Sequence, residues 1–172
     1  MRFLSQSLML DLMYHQKTVN MEANDIIDLL ESEMQNYPIP ECPLTHTLLE
    51  DQYIREIFMP AGSLITSQIH KTEHPYFILK GVVSVWTEND GEVILQAPHY
   101  GITKPGTRRV LYVHEDCVWC TIHKRLPNET VDDIGERIIE KHDNKLLDSD
   151  IKKAFARISR YGLDDIDKQE KN

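Results

Sequence analysis

Residues 74–86 read His74-Pro-Tyr-Phe-Ile-Leu-Lys-Gly-Val-Val-Ser-Val-Trp86, two apolar, β-branched and aromatic runs broken at Lys80-Gly81. Glycine supplies the positive φ that a tight turn needs, so the stretch predicts strands over Tyr76–Lys80 and Val82–Thr87 joined as a hairpin. The same grammar extends outward. Further runs at Tyr53–Phe58, Ser63–His70, Glu92–Gln96, Gly101–Lys104, Arg109–Val113 and Val118–His123 are separated by turn chemistry at Pro60-Ala-Gly62, Asn89-Asp-Gly91 and Pro105-Gly106. Many short strands at close spacing predict a sandwich or a barrel.

The flanks follow a different period. Ile26, Ile27, Leu29, Leu30 and Met34 recur at helical spacing over residues 22–36, with Asn24 or Asp25 as N-cap and Pro38 as the stop. Tyr37 to Leu44, with Pro38, Pro40 and Pro43, predicts an extended linker. After Pro127, Thr130 caps a helix holding Ile134, Ile138 and Ile139, and Asp148 or Ser149 caps a second one running to Tyr161, with Gly162 as its stop. The sequon Asn128 to Thr130 reads as a helix entry. The expected organisation is an N-terminal extension over 1–52, a β barrel over 53–124 and a helical segment over 125–172. Met21 offers a second start, which would make residues 1–20 a dispensable extension.

Composition excludes several classes. At 172 residues, 41% hydrophobic and 27% charged, the chain has the make-up of a soluble globular domain. Its longest apolar runs are strand-sized, far below the ~20 residues that span a bilayer. The net charge of −9 repels phosphate backbones, so nucleic acid is not an expected partner. The acid sits at the ends, and residues 53–127 carry a slight excess of basic side chains, Arg108 and Arg109 among them. That region would accept an anionic small molecule. Three cysteines, Cys42, Cys117 and Cys120, do not make a disulfide framework, and no signal peptide is evident, so a reducing cytoplasm is expected.

Gly62, Gln68, His70, His74 and Gly81 are separated by five, one, three and six residues. This pattern resembles the first motif of the cupin superfamily. In the second motif, Gly106 takes the glycine's place, Arg109 the histidine's and Val113 the asparagine's. The phrases Met59-Pro-Ala-Gly62, His70-Lys-Thr-Glu-His74, Pro105-Gly-Thr-Arg-Arg-Val110 and Trp119-Cys-Thr-Ile-His123 resemble small cupin proteins encoded by tailed bacteriophages. The resemblance covers about residues 53–124. It implies a mainly β fold: a single cupin-type jelly-roll barrel with an N-terminal helix and one or two C-terminal helices.

Residues two apart on a strand face the same way, so Gln68 and His70 are expected to point into the barrel together, with His74 joining from the next strand. Three readings stand. Arg109 holds a carboxylate or phosphate of a small ligand while Gln68, His70, His74 and Tyr76 complete the pocket. Alternatively, His70 and His74, completed by His123 or Glu56, hold Fe, Mn, Ni or Zn, and the protein is a metal-dependent enzyme. The third leaves the histidines structural, with Arg109 paired to Glu56 or Glu115, in a non-catalytic phage assembly or interaction protein. The first leads: a small-ligand-binding protein that sequesters an anionic metabolite or signal. Barrels of this kind pair through sheet edges, so a homodimer is expected. Cys117-Val-Trp-Cys120 puts its sulfurs on opposite faces of a strand and reads as packing.

Overall fold

In the computed structural model, residues 22–144 are described. In chain order they form α1 (Ala23–Met34), β1 (Leu44–Leu48), β2 (Gln52–Met59), β3 (Leu64–Thr66), β4 (His74–Thr87), β5 (Gly91–Gln96), β6 (His99–Thr103), β7 (Val110–Lys124) and α2 (Val131–Ile138). The chain divides into two compact units, one over 39–142 and one made of 1–38 with 143–172.

The larger unit is built on two long strands, β4 and β7, which pair antiparallel along most of their length. The first half of β4 takes β6 on its other edge, and the second half takes β5. In β7 the first half pairs with β3 and the second with β2, which in turn carries β1. The two strands therefore pass from one half-sheet, β1-β2-β7-β4-β6, into the other, β3-β7-β4-β5. This is the mainly β, single jelly-roll arrangement expected from the sequence, with one described helix before it in the chain and one after.

The hairpin predicted at Lys80-Gly81 is not there, and the separate strands predicted at Arg109–Val113 and Val118–His123 are one strand. Register shifts between Ile78, Lys80, Val82 and Val83 bend β4 instead of reversing it. Gly81, at φ +91°, lies against β7 so closely that a Cβ would overlap the carbonyl oxygen of Asp116. Glycine is needed here for a bulge at a strand crossing rather than for a turn. The strand predicted over Ser63–His70 ends at Thr66, and the sheet also takes in Leu44–Leu48.

Between the half-sheets lies the core: Met59, Ile78, Val83, Val85, Leu111, Val113, Cys117 and Trp119. Cys117 is part of it, while Cys120 faces away beside Glu56, its register partner on β2. All three cysteines are free, and burial pushes the Cys117 thiol up to about 11. These are packing thiols.

Helix α2 begins as its sequence dictates. The Thr130 side chain accepts from the Asp133 amide while the Asp133 carboxylate accepts from Thr130, a reciprocal capping box. Asn128 precedes it at φ 65°. Ile134 and Ile138 are the buried stripe, packed with Tyr53 of β2.

In the second unit, α1 buries Ala23, Ile26, Ile27, Leu29 and Leu30. Its N-cap is Glu22, two residues before Asn24 and three before Asp25, and it has no side-chain cap. The helix expected to end at Tyr161 and the extension 1–20 lie outside the described residues. No helix among the described residues is long and apolar enough to cross a membrane.

Candidate functional site

Three histidines converge inside the larger unit. His74 opens β4, opposite Thr103 of β6, and His123 lies near the end of β7, opposite Tyr53 of β2. His70 sits in the segment between β3 and β4, where it forms an isolated bridge with Ile139 just after α2. The amides of Lys71 and Glu140 donate to the carbonyls of Ile138 and Ile69 at 2.7 and 2.9 Å, fixing that segment. The three rings lie 4.3, 4.4 and 5.5 Å apart between centroids, and one nitrogen from each falls within 4.8 Å of the others. All three residues are at least nine-tenths buried.

Their hydrogen bonds leave lone pairs for a ligand. Nδ1 of His74 donates to the Thr72 carbonyl at 3.1 Å, which leaves Nε2 as the basic nitrogen. Nε2 of His123 meets the Thr121 hydroxyl at 3.1 Å, and its Nδ1 has no partner. Nδ1 of His70 is likewise buried without one. Two orphaned imidazole nitrogens in one interior cluster need explaining, since buried polar atoms are as a rule satisfied.

The rings are neutral at ordinary pH. Burial, then the neighbouring His74 and the Arg55 and Arg109 guanidiniums, hold His70 down at about 4. Burial, His74, His70 and Arg55 hold His123 down at about 3, and burial also lowers His74. Neutral imidazole is the form that ligates a metal.

A cavity of about 130 Å³ lies against the cluster, with Ile57, Met59, Ile65, Leu111 and Trp119 as its apolar floor and Arg55, Gln68, Thr103, Arg109 and Thr121 among its polar groups. No carboxylate from the described residues lines it. Arg109 stands on Tyr76, its guanidinium carbon 5.4 Å from the ring centroid, and donates to the Thr103 hydroxyl at 3.1 Å. Tyr76 itself stacks on Trp119 at 4.5 Å, and its ring fills the space where a Cβ on Gly101 would fall. Thus Tyr76 positions Arg109 from beneath and does not line the cavity. Among the described residues Arg109 makes no ion pair with Glu56 or Glu115.

A second cavity, of about 420 Å³, lies on the other side of His70 and His123, between β1, β2 and helix α2. Arg55, Gln68, His70 and His123 line both cavities.

Of the residues expected from the sequence, His70, His74, His123 and Arg109 meet here; Gln68 does not point inward with His70 as expected, because the strand ends at Thr66, and it stays exposed at the rim while His70 is buried. Glu56 does not meet them either. Arg55, its neighbour, is the residue on that strand which points inward, and sequence reasoning missed it. The signal was the alternation Tyr53, Arg55, Ile57, Met59, which puts Arg55 on the apolar face and Glu56 on the other.

No protein-family model matches the sequence, and no curated protein matches it. Solved structures similar to it include a cupin-2 domain protein from Shewanella frigidimarina, with 12% identity and a TM-score of 0.40 over 64% of this chain and 99% of that one. A cupin domain from Bordetella pertussis has 16% identity and a TM-score of 0.41 over 52% and 99%. An RmlC-like cupin family protein with a double-stranded β-helix fold from Methanocaldococcus jannaschii has 11% identity and a TM-score of 0.40 over 52% and 83%. The jelly-roll description of this chain stands on its own strand pairing.

Proposed function

We propose that the protein binds a small anionic molecule at a divalent metal ion held by His70, His74 and His123. The observation that carries this reading is the convergence of the three buried rings, two of them with an unpartnered Nδ1. Neutral imidazoles suit Fe, Ni or Zn, and three protein donors leave coordination positions open. An ion bound there would supply positive charge and Lewis acidity. The protein's own groups do the rest: Thr72 and Thr121 fix the orientation of His74 and His123, and Arg109, steadied by Tyr76 and Thr103, faces the cavity as the anion's anchor.

No carboxylate of the described residues lines the inner cavity, where Arg55 and Arg109 stand, and that favours an anion there; Asp132 and Glu136 line the outer one. In a metal centre with one acidic ligand, part of the ion's charge is neutralised by the protein; here the ion and two guanidiniums leave that to the bound molecule. The guanidinium at the histidine position of the second motif therefore sits with a metal centre completed from β7 instead of replacing it. A cupin that sequesters an anionic metabolite or signal, of the kind tailed phages encode, fits this site.

Metal content of tag-free protein, measured by mass spectrometry beside a His70→Ala, His74→Ala variant, tests the reading. Near-stoichiometric metal in the first and none in the second is expected. Wild-type protein that stays metal-free after incubation with Zn, Ni, Mn and Fe salts overturns it.

A further inference from the structure

We infer that the outer cavity is the passage by which the metal ion reaches the histidines, and that Gly135 keeps it open. This rests on the metal reading above and adds to it a route and the residue that sets its width.

The route follows from exposure. His70, His74 and His123 are at least nine-tenths buried, so an ion that binds them has to cross the protein's outer layer. Two cavities touch the cluster. Among the residues that line the inner one, only Gln68 is exposed. The outer one has exposed His46, Asp132, Glu136 and Lys141 in its wall and, at its other end, buried His70 and His123, the two residues with an unpartnered Nδ1. It therefore runs from solvent to the cluster. At about 420 Å³ it has room for an ion with a shell of about six waters at ~30 Å³ each.

Helix α2 is held in place as one wall of this passage. Arg137 donates to the Glu129 carboxylate and to the Lys124 carbonyl, both at 2.6 Å, and the Lys71 ammonium donates to the Glu136 carbonyl at 2.9 Å. With the wall fixed, side chains set the width. Val131, Asp132, Gly135, Glu136 and Ile138 are the helix residues on the cavity, and helical spacing puts Gly135 at the middle of that face. A glycine inside a helix costs stability relative to alanine, and the fold gives no steric reason for this one. A Cβ on Gly135 would have nothing within 4 Å, and its φ is not in the left-handed region. What a side chain here would occupy is the passage. The space left by the missing side chain is what the helix gives up stability to keep.

The test is the rate of zinc uptake by the metal-free full chain, followed by stopped flow with a chromophoric chelator, beside the equilibrium affinity and the melting temperature. Gly135→Leu is expected to slow uptake and release alike, by about tenfold or more, and to leave affinity within about threefold, because it narrows a path without touching a ligand. Gly135→Met, unbranched and adaptable, should show the same slowing and guards against a leucine variant that folds poorly. Gly135→Ala should melt roughly 1–4 °C above wild type. Wild-type rates in both large variants, slower uptake with unchanged release, or a Gly135→Ala variant that melts below wild type overturns the inference. If wild type and both large variants take up zinc at one rate, the metal reading stands and the route alone fails. If wild type takes up no zinc, the metal reading fails and the route falls with it.

Discussion

Strands β2 and β7 carry two unlike surfaces along one face. At one end Met59 pairs with Cys117 and Ile57 with Trp119; at the other Arg55 pairs with Thr121 and Tyr53 with His123. The first two pairs sit in or against the core, while the last two face the histidine cluster and its cavities. A sandwich interior is normally apolar throughout, and its stability comes from burying that area. Here half of the face does that work and the other half is given to neutral imidazoles, a hydroxyl and the Arg55 guanidinium. The apolar end holds the fold, so the polar end is free to be poorly satisfied until something binds.

That division can be broken by substitution. Trp119→Ala, at the apolar end, removes the ring on which Tyr76 stacks and should lower stability by about 3–5 kcal/mol, read as a fall in the urea midpoint. A loss below about 1 kcal/mol would mean that the two ends are not divided in this way. His123→Leu, at the polar end, should do the reverse. It removes an orphaned nitrogen, so metal-free stability at pH 7 stays level or rises, while zinc affinity drops by more than about 100-fold, beyond the 10- to 100-fold typical of outer-shell partners. Zinc titration and denaturation of the same variant settle both halves.

Acid should sharpen the contrast. The folded pKa values of about 4 for His70 and about 3 for His123 lie below the ordinary ~6.5 of the unfolded chain. As pH falls from about 6.5 the unfolded state takes up protons that the folded state refuses, so metal-free protein loses stability down through pH 4 to 3, and keeps it in full above about 6.5. A His70→Gln, His74→Gln, His123→Gln variant should show a flatter profile over that window. An unchanged slope would place the titrating groups elsewhere.

The sequence made the two ends legible to different degrees. The motif spacing of the resemblance put His70 and His74 forward, with His123 or Glu56 to complete them, and alternation along single strands was readable from the residues alone. It would have given Arg55 as well, had parity been followed from Tyr53 to Met59. What local reading could not reach was the continuity of β4 and β7. A glycine at a bulge and a glycine in a hairpin turn have the same local chemistry, and only the approach of Asp116, from far along the chain, distinguishes them. Helix α2 was legible because its signal is local: Thr130 and Asp133 cap it within one turn.

The strand order has a bearing on how the protein is made. β7 is the last strand among the described residues and the hydrogen-bonding partner of β2, β3 and β4. During synthesis the earlier strands leave the ribosome without the element that joins them, and only β1 with β2, and β4 with β5 and β6, can pair among themselves. The apolar faces of β2 and β4 thus wait, uncovered, until residue 124 has emerged, and His123 arrives with the strand that closes the barrel. Nascent chains with such non-local pairing fold late and are exposed to aggregation in the interval. The cluster cannot assemble before the strands do, so an ion captured at these three histidines would report a closed barrel.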